Sequence, residues 1–242
     1  MARRQRLDRL LANSGYGTRK NVKQIIRNGR VTVDGNRVTD NGMQVDPESQ
    51  VIEIDGERLN YREFIYLMMN KPQGVISATE DRYQETVLDL VPDEYSSFRL
   101  FPAGRLDKDT EGLMLLTNDG KLAHELLSPK KHVPKKYFAR IRGCVDEKDC
   151  QAFSEGIVLD DGYKTMPARL NILNAGEISE VEVIIYEGKF HQVKRMFEAT
   201  GKEVIYLKRL EIGPLKLDED LEPGCLREIT EEEIQKLKSF IL

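Results

Sequence analysis

Residues 104–120, GRLDKDTEGLMLLTNDG, place Arg105, Asp107, Lys108, Asp109 and Glu111 directly ahead of the apolar run Leu113, Met114, Leu115 and Leu116. Three chemistries fit such a cluster. The first is a calcium loop, because Asp107, Asp109, Glu111 and Gly112 follow the opening half of the pattern D-x-[DN]-x-[DN]-G-x5-E. That pattern then needs a bidentate Glu at its twelfth position, where this chain has Asn118, and its ninth position is Leu115, which carries no side-chain oxygen. The metal reading fails on those two residues. The second is a solvated turn before a strand, which accounts for Asp109 and Glu111. The third is a catalytic carboxylate at the entrance of a buried strand. Arg105 and Asp107 are two residues apart, so in an extended segment they share one face. A carboxylate kept ionised at such a place needs a cationic partner.

Two other stretches offer partners. In EGKFHQVKRMF, residues 187–197, Gly188 ends a strand and Phe190, Val193 and Phe197 are expected to form one helical stripe, leaving His191, Lys194, Arg195 and Glu198 on the remaining surface. In KKHVPKKYFARI, Lys130, Lys131, Lys135 and Lys136 precede Tyr137 at a strand start. Cations interleaved with an aromatic suit phosphates and a stacked base. His124, His132 and His191 have no ligand spacing, and Cys144, Cys150 and Cys225 show no C-x-x-C pair. The expectation is therefore no metal site and a reducing cytoplasm.

The elements that must position these residues fall into two parts. The chain has 242 residues, 40% of them hydrophobic, enough for a small domain beside a larger one. Its apolar runs are too short to span a bilayer, and the basic start MARRQRLDRLLANSG is interrupted before any apolar signal region forms, so neither membrane insertion nor secretion is expected. The net charge of −4 is unevenly spread: residues 1–37 hold ten Lys/Arg against Asp8 and Asp34, a local +8 that leaves −12 on the remainder. Local charge matters more than the average for a phosphate partner. In this first part Thr18 caps a helix carrying Val22, Ile25 and Ile26, Gly29 stops it, and a shorter helix surrounds Leu7, Leu10 and Leu11. Val31 and Val33, an Asp34–Gly35 turn and Val38 read as a hairpin, and VIEI adds a strand.

The pattern changes around residues 56–62, giving domains at 1–60 and 61–242. In the second, strands are expected at 64–69, 113–117, 136–141, 168–173, 180–186 and 204–210, and helices at 121–127, 147–153 and 191–200. Thr230 and Glu233 form a capping box for a final helix. Regular βαβ alternation is missing, so the class is α+β: a small αβ domain followed by a larger one with a mixed, mainly antiparallel sheet and peripheral helices. No exposed apolar helix face stands out, which points to a monomer.

The stretch RLDRLLANSGYGTRKNVKQIIRNGRVTVDGNRV resembles the S4 RNA-binding domain, and the resemblance implies that Arg19, Lys20, Lys23 and Arg27 meet structured RNA. YLMMNKPQGVIS, GRLDKDTEGLMLLTNDG, KKYFARI and EGKFHQVKRMF, in that order, resemble the RsuA-type ribosomal RNA pseudouridine synthases, the family that includes RluB, RluE and RluF. The resemblance covers nearly the whole chain. It implies isomerisation of a uridine in ribosomal RNA or a ribosomal subunit precursor, a reaction that oxidises nothing and needs no cofactor, and the chain is most similar to members acting on 16S rRNA. Large-subunit 23S rRNA and a non-catalytic rRNA-binding assembly factor are the alternatives. It further implies Asp107 as the catalytic aspartate, Tyr137 as the ring packing on the target uracil, Lys194 as the basic partner of the aspartate and Arg105 as a holder of the flipped conformation. NKPQG, residues 70–74, is mainly structural on this reading. Many relatives carry Arg at the position of Lys194; lysine keeps the charge without the bidentate fork, and adjacent Arg195 is the alternative partner.

Overall fold

A computed structural model describes residues 4–241. Arg3, one of the ten basic residues counted above, lies outside them. The chain divides into two compact units, Met1–Ile65 with Pro92–Arg99, and Tyr66–Val91 with Leu100–Leu242.

The first unit contains β1 (Gln5–Arg6), α1 (Leu7–Asn13), α2 (Arg19–Arg27), β2 (Val31–Val33), β3 (Asn36–Val38), β4 (Gln44–Val45), β5 (Ile52–Ile54) and β6 (Glu57–Arg58), plus a 3-10 turn at Asp93–Phe98. The Thr18 hydroxyl accepts the Asn21 amide at 3.3 Å, so α2 starts where the sequence places its cap. Val22 and Ile26 turn inward against Leu7, Leu10 and Leu11 of α1 and against Val31, Val33, Val38, Ile52 and Ile54 of the sheet. That sheet runs β3-β2-β5-β6, all antiparallel. Asp34 and Gly35 both have positive φ, 52° and 76°, the backbone a two-residue type I′ hairpin requires.

The second unit is built on one nine-stranded sheet. Its strands are β7 (Tyr66–Lys71), β8 (Phe101–Pro102), β9 (Glu111–Thr117), β10 (Lys135–Arg142), β11 (Arg169–Asn174), β12 (Ile178–Ile185), β13 (Glu203–Ile212), β14 (Leu215–Lys216) and β15 (Leu226–Glu228). The order is β11-β12-β10-β13-β9-β7-β15, with β8 on β9 and β14 on β13. Every named pair is antiparallel except β9 with β13. The helices are α3 (Gly120–Leu127), α4 (Glu147–Glu155), α5 (Gln192–Ala199) and α6 (Glu231–Ile241). The architecture is α+β, mixed and mainly antiparallel, as the missing βαβ alternation required.

Two local features decide where functional residues sit. At the parallel seam, a Cβ on Gly112 would lie 2.2 Å from the Arg209 carbonyl oxygen, and Gly112 has φ 101°. Only glycine lets β9 and β13 approach there. The second feature corrects an expectation. Phe190 does not join a stripe with Val193 and Phe197. The backbone is left-handed at His191, φ 49°, so α5 begins only at Gln192, and Val193, Met196 and Phe197 form its buried side. Phe197 packs against Phe153 of α4 at 4.8 Å, while Phe190 is left 73% exposed. The final helix forms as expected: the Glu233 amide donates to the Thr230 hydroxyl at 3.2 Å and Glu233 accepts the Thr230 amide at 2.8 Å.

Candidate active site

Asp107 lies in the loop between β8 and β9, and that loop is fastened from below. The Leu106 amide donates to the Ser77 hydroxyl at 3.0 Å, which donates back to the Leu106 carbonyl at 2.8 Å. The Gly74 amide reaches the Lys108 carbonyl at 2.8 Å, and the Thr110 amide reaches that of Asp107 at 3.1 Å. Fully buried Lys71, at the end of β7, points its ammonium at three carbonyls: Pro72 at 2.9 Å, Thr110 at 3.0 Å and Lys108 at 3.4 Å. The NKPQG stretch thus supports the loop through Lys71 and Gly74. Burial lowers the Lys71 pKa from 10.5 to about 8, although the charges of Asp109, Asp107 and Glu111 pull the other way.

The Asp107 side chain is 28% exposed, and two groups from the start of α5 face it: His191 Nε2 at 3.5 Å from Oδ1, and Lys194 Nζ at 3.5 Å from Oδ2. Lys194, 17% exposed, bonds Asp109 more closely, at 2.6 and 2.8 Å. One ammonium therefore serves two carboxylates. Asp109 is an exposed turn residue, as expected, and it is also Lys194's nearest partner. Burial acts to raise the Asp109 pKa, and the hydrogen bond and charge of Lys194 outweigh it, leaving the group below its ordinary value. Glu111 is also engaged, accepting the Tyr206 hydroxyl at 2.6 Å.

Arg195 goes elsewhere. Its guanidinium pairs with Asp160 and, at 2.7 Å, with Asp161, so within this geometry Lys194 and not Arg195 is the cation beside Asp107. Arg105 is exposed and has no ion-pair partner among the described residues. Tyr137 is buried in β10. It pairs in register with Arg209 of β13, which pairs with Gly112 of β9, so a row across three strands leads from Tyr137 to the segment just after the Asp107 loop. Arg209 is itself buried; its Nε donates to the Leu113 carbonyl at 2.8 Å, and its Nη2 has no partner among the described residues. Of the four lysines before Tyr137, Lys131 and Lys136 are paired with Glu125 and Glu182, and Lys135 is buried. Burial pushes Lys135 down to about 8, Arg209 adds to that shift and Glu187 opposes it. That cluster is not an open phosphate-binding stripe.

In the first unit, Arg19, Lys20, Lys23 and Arg27 occupy the outer side of α2, all exposed and none ion-paired among the described residues. Sequence reasoning missed His191, Arg209, Lys71 and the role of Asp109 near the site. The signal for Lys71 was a lysine at the end of the apolar run YLMM; His191 and Asp109 depend on contacts between the start of α5 and the β8–β9 loop, and Arg209 on the parallel seam of the sheet.

A clamped carboxylate beside a lysine and a histidine suits attack or proton abstraction at a sugar carbon. The model of the RNA pseudouridylate synthase family matches residues 65–199, and that of the S4 domain matches residues 5–51. The chain belongs to the RNA pseudouridine synthase family. It is 54% identical to an uncharacterised RNA pseudouridine synthase of Bacillus subtilis, over 96% of this synthase and 98% of that relative. It is 40% identical to the ribosomal small subunit pseudouridine synthase A of Vibrio vulnificus, covering 96% and 99% of the two chains. With the ribosomal large subunit pseudouridine synthase B of Bacillus subtilis it shares 38%, covering 98% and 96%. A crystal structure of a pseudouridylate synthase, 38% identical, superposes with a TM-score of 0.68 over 96% of this chain and 99% of that one. The synthase is thus of the RsuA type, with an S4 domain at its N-terminus. Among its described residues no helix is long and apolar enough to cross a membrane.

Proposed function

We propose that the synthase isomerises one uridine of ribosomal RNA to pseudouridine, with Asp107 as the reacting carboxylate and 16S rRNA of the small subunit as the target. The observation that carries this reading is Asp107 itself, held on a fastened loop with His191 and Lys194 each at 3.5 Å. The small-subunit target follows the resemblance of GRLDKDTEGLMLLTNDG and the 40% identity to a small-subunit enzyme. The large-subunit alternative is supported by the 38% identity to a large-subunit enzyme.

The target base leaves its stack to reach a carboxylate set at a loop. The N1–C1′ bond breaks, the uracil turns, C5 bonds to C1′, the C5 hydrogen leaves to solvent and N1 gains a proton. Asp107 either attacks C1′ or removes a proton from the sugar; both routes need it ionised, and Lys194 favours that form by opposite charge. Tyr137 packs on the uracil, Arg105 holds the flipped strand, and Arg195, once released from Asp160 and Asp161, binds backbone phosphate. Residues 1–60 supply affinity through Arg19, Lys20, Lys23 and Arg27, and residues 61–242 supply chemistry. The synthase acts as a cytoplasmic monomer on rRNA or a subunit precursor, without metal or cofactor.

Carbodiimide-dependent primer stops on rRNA from cells lacking the synthase test this. One 16S stop should vanish, return with the wild-type gene and stay absent with Asp107→Asn. A stop lost from 23S rRNA instead overturns the target, and an unchanged pattern overturns the activity.

A further inference from the structure

We infer that the stacked pair Phe190–His191 is a nucleobase platform at the rim of the Asp107 site, on which a base flanking the displaced uridine stacks. This rests on the reading of Asp107 as the reacting carboxylate.

Single exposed apolar residues are ordinary, but Phe190 differs from a stray one in three ways. Its ring lies flat on the His191 imidazole, with centroids 3.8 Å apart and planes 18° from parallel. The turn that carries it is fixed from inside. Buried Glu187 accepts from the Tyr163 hydroxyl at 2.6 Å, the Met166 amide at 2.9 Å and the Gln192 side chain at 3.2 Å, and Gln192 accepts the Lys189 amide at 2.9 Å. The ring is therefore held out toward water by a built network. Third, His191 beneath it is the residue whose Nε2 lies 3.5 Å from Asp107, so the open aromatic face is one residue from the chemistry.

The surroundings select the occupant. Lys189 is exposed beside Phe190, Lys194 stands one turn on, and Arg105 and Lys108 bracket Asp107. The nearby carboxylates Asp160 and Asp161 are taken up by Arg195. An aromatic face set among cations fits a polyanionic strand with exposed bases. Extruding a uridine removes one stacking partner from each neighbour, and a phenyl ring replaces that partner for any base type.

The chain contains no tryptophan, so Phe190→Trp installs a single fluorescent reporter at the platform. Titration with 16S rRNA transcribed in vitro should quench its emission by roughly half or more as a base stacks on it. Quenching should persist when Asp107→Asn is added. Phe190→Ala should lower kcat/KM for tritium release by about 5- to 140-fold, the equivalent of a stack worth about 1–3 kcal/mol at about 1.4 kcal/mol per tenfold. Phe190→Tyr should restore it, and Phe240→Ala, an exposed ring on α6, should leave it unchanged. Emission unaltered at RNA concentrations that saturate filter binding, or Phe190→Ala turning over at the wild-type rate, overturns the platform. Absence of tritium release from the wild-type chain overturns the activity instead, and the quenching still decides the platform.

Discussion

The Asp107 site and the outer side of α2 are both rich in charge, and they hold it in opposite ways. Around Asp107 most charges have a partner: Lys194 sits between two carboxylates, Lys71 caps three carbonyls, and Arg195 is tied to Asp160 and Asp161, while Arg105 has no ion pair among the described residues. On α2, Arg19, Lys20, Lys23 and Arg27 stand exposed without ion pairs among the described residues. Paired charges at short range fix geometry and are weakly screened; unpaired surface cations attract a polyanion over distance and are strongly screened. On the proposed function, one region places a carboxylate and the other gathers RNA.

The contrast breaks most visibly at the proposed reacting group, Asp107. Asp107→Asn should lower tritium release by at least about 10³-fold, as removal of an essential reacting side chain does. Lys194→Met comes next, with a loss of about 10²–10³-fold, typical of removing one electrostatic stabiliser; a loss below tenfold in single-turnover assays would assign the cation's role to His191. Lys71→Met sharpens the comparison through stability. The folded pKa of Lys71 is depressed to about 8 from 10.5, so between those values the unfolded chain binds the extra proton. Wild-type stability relative to Lys71→Met should therefore rise from pH 8 to 10.5, by up to about 3 kcal/mol in paired urea melts. A difference that falls over that window contradicts a lysine held charged in a dry site. The smallest effect on chemistry belongs to α2. Changing Arg19, Lys20, Lys23 and Arg27 together to Gln should flatten the slope of log affinity against log salt by about 3 and weaken filter binding about tenfold or more, with kcat at saturating RNA unchanged.

These two regions also differ in how far they could be read from sequence. For α2 the reading was nearly complete, because a cap at Thr18, an apolar stripe at Val22 and Ile26 and exposed cations are all local patterns of one helix. The nine-stranded sheet was legible in its class and in the approximate place of its central strands, since alternation and apolar runs are also local. The site was legible only in part. Asp107 and Lys194 were named through family resemblance, 87 residues apart, and the fold brings them within 3.5 Å. Asp109 is the exposed turn residue its sequence implies, but its pairing with Lys194 was not legible, because that partner arrives from α5, which no pattern in GRLDKDTEG can reveal. Phe190 was placed in a helical stripe because its spacing to Val193 and Phe197 is helical; the left-handed backbone at His191 delays the helix and turns the ring outward. Arg209 escaped because its burial depends on the parallel seam with Gly112.

The most direct measurement sets Asp107→Asn and the four-fold α2 variant side by side, scoring single-turnover tritium release at saturating RNA and RNA affinity by filter binding. Asp107 as the reacting carboxylate requires that Asp107→Asn release no tritium while binding RNA within about two-fold of wild type, and that the α2 variant do the reverse, binding weakly and releasing at the wild-type rate once saturated. Tritium release by Asp107→Asn at a rate near wild type would contradict the assignment.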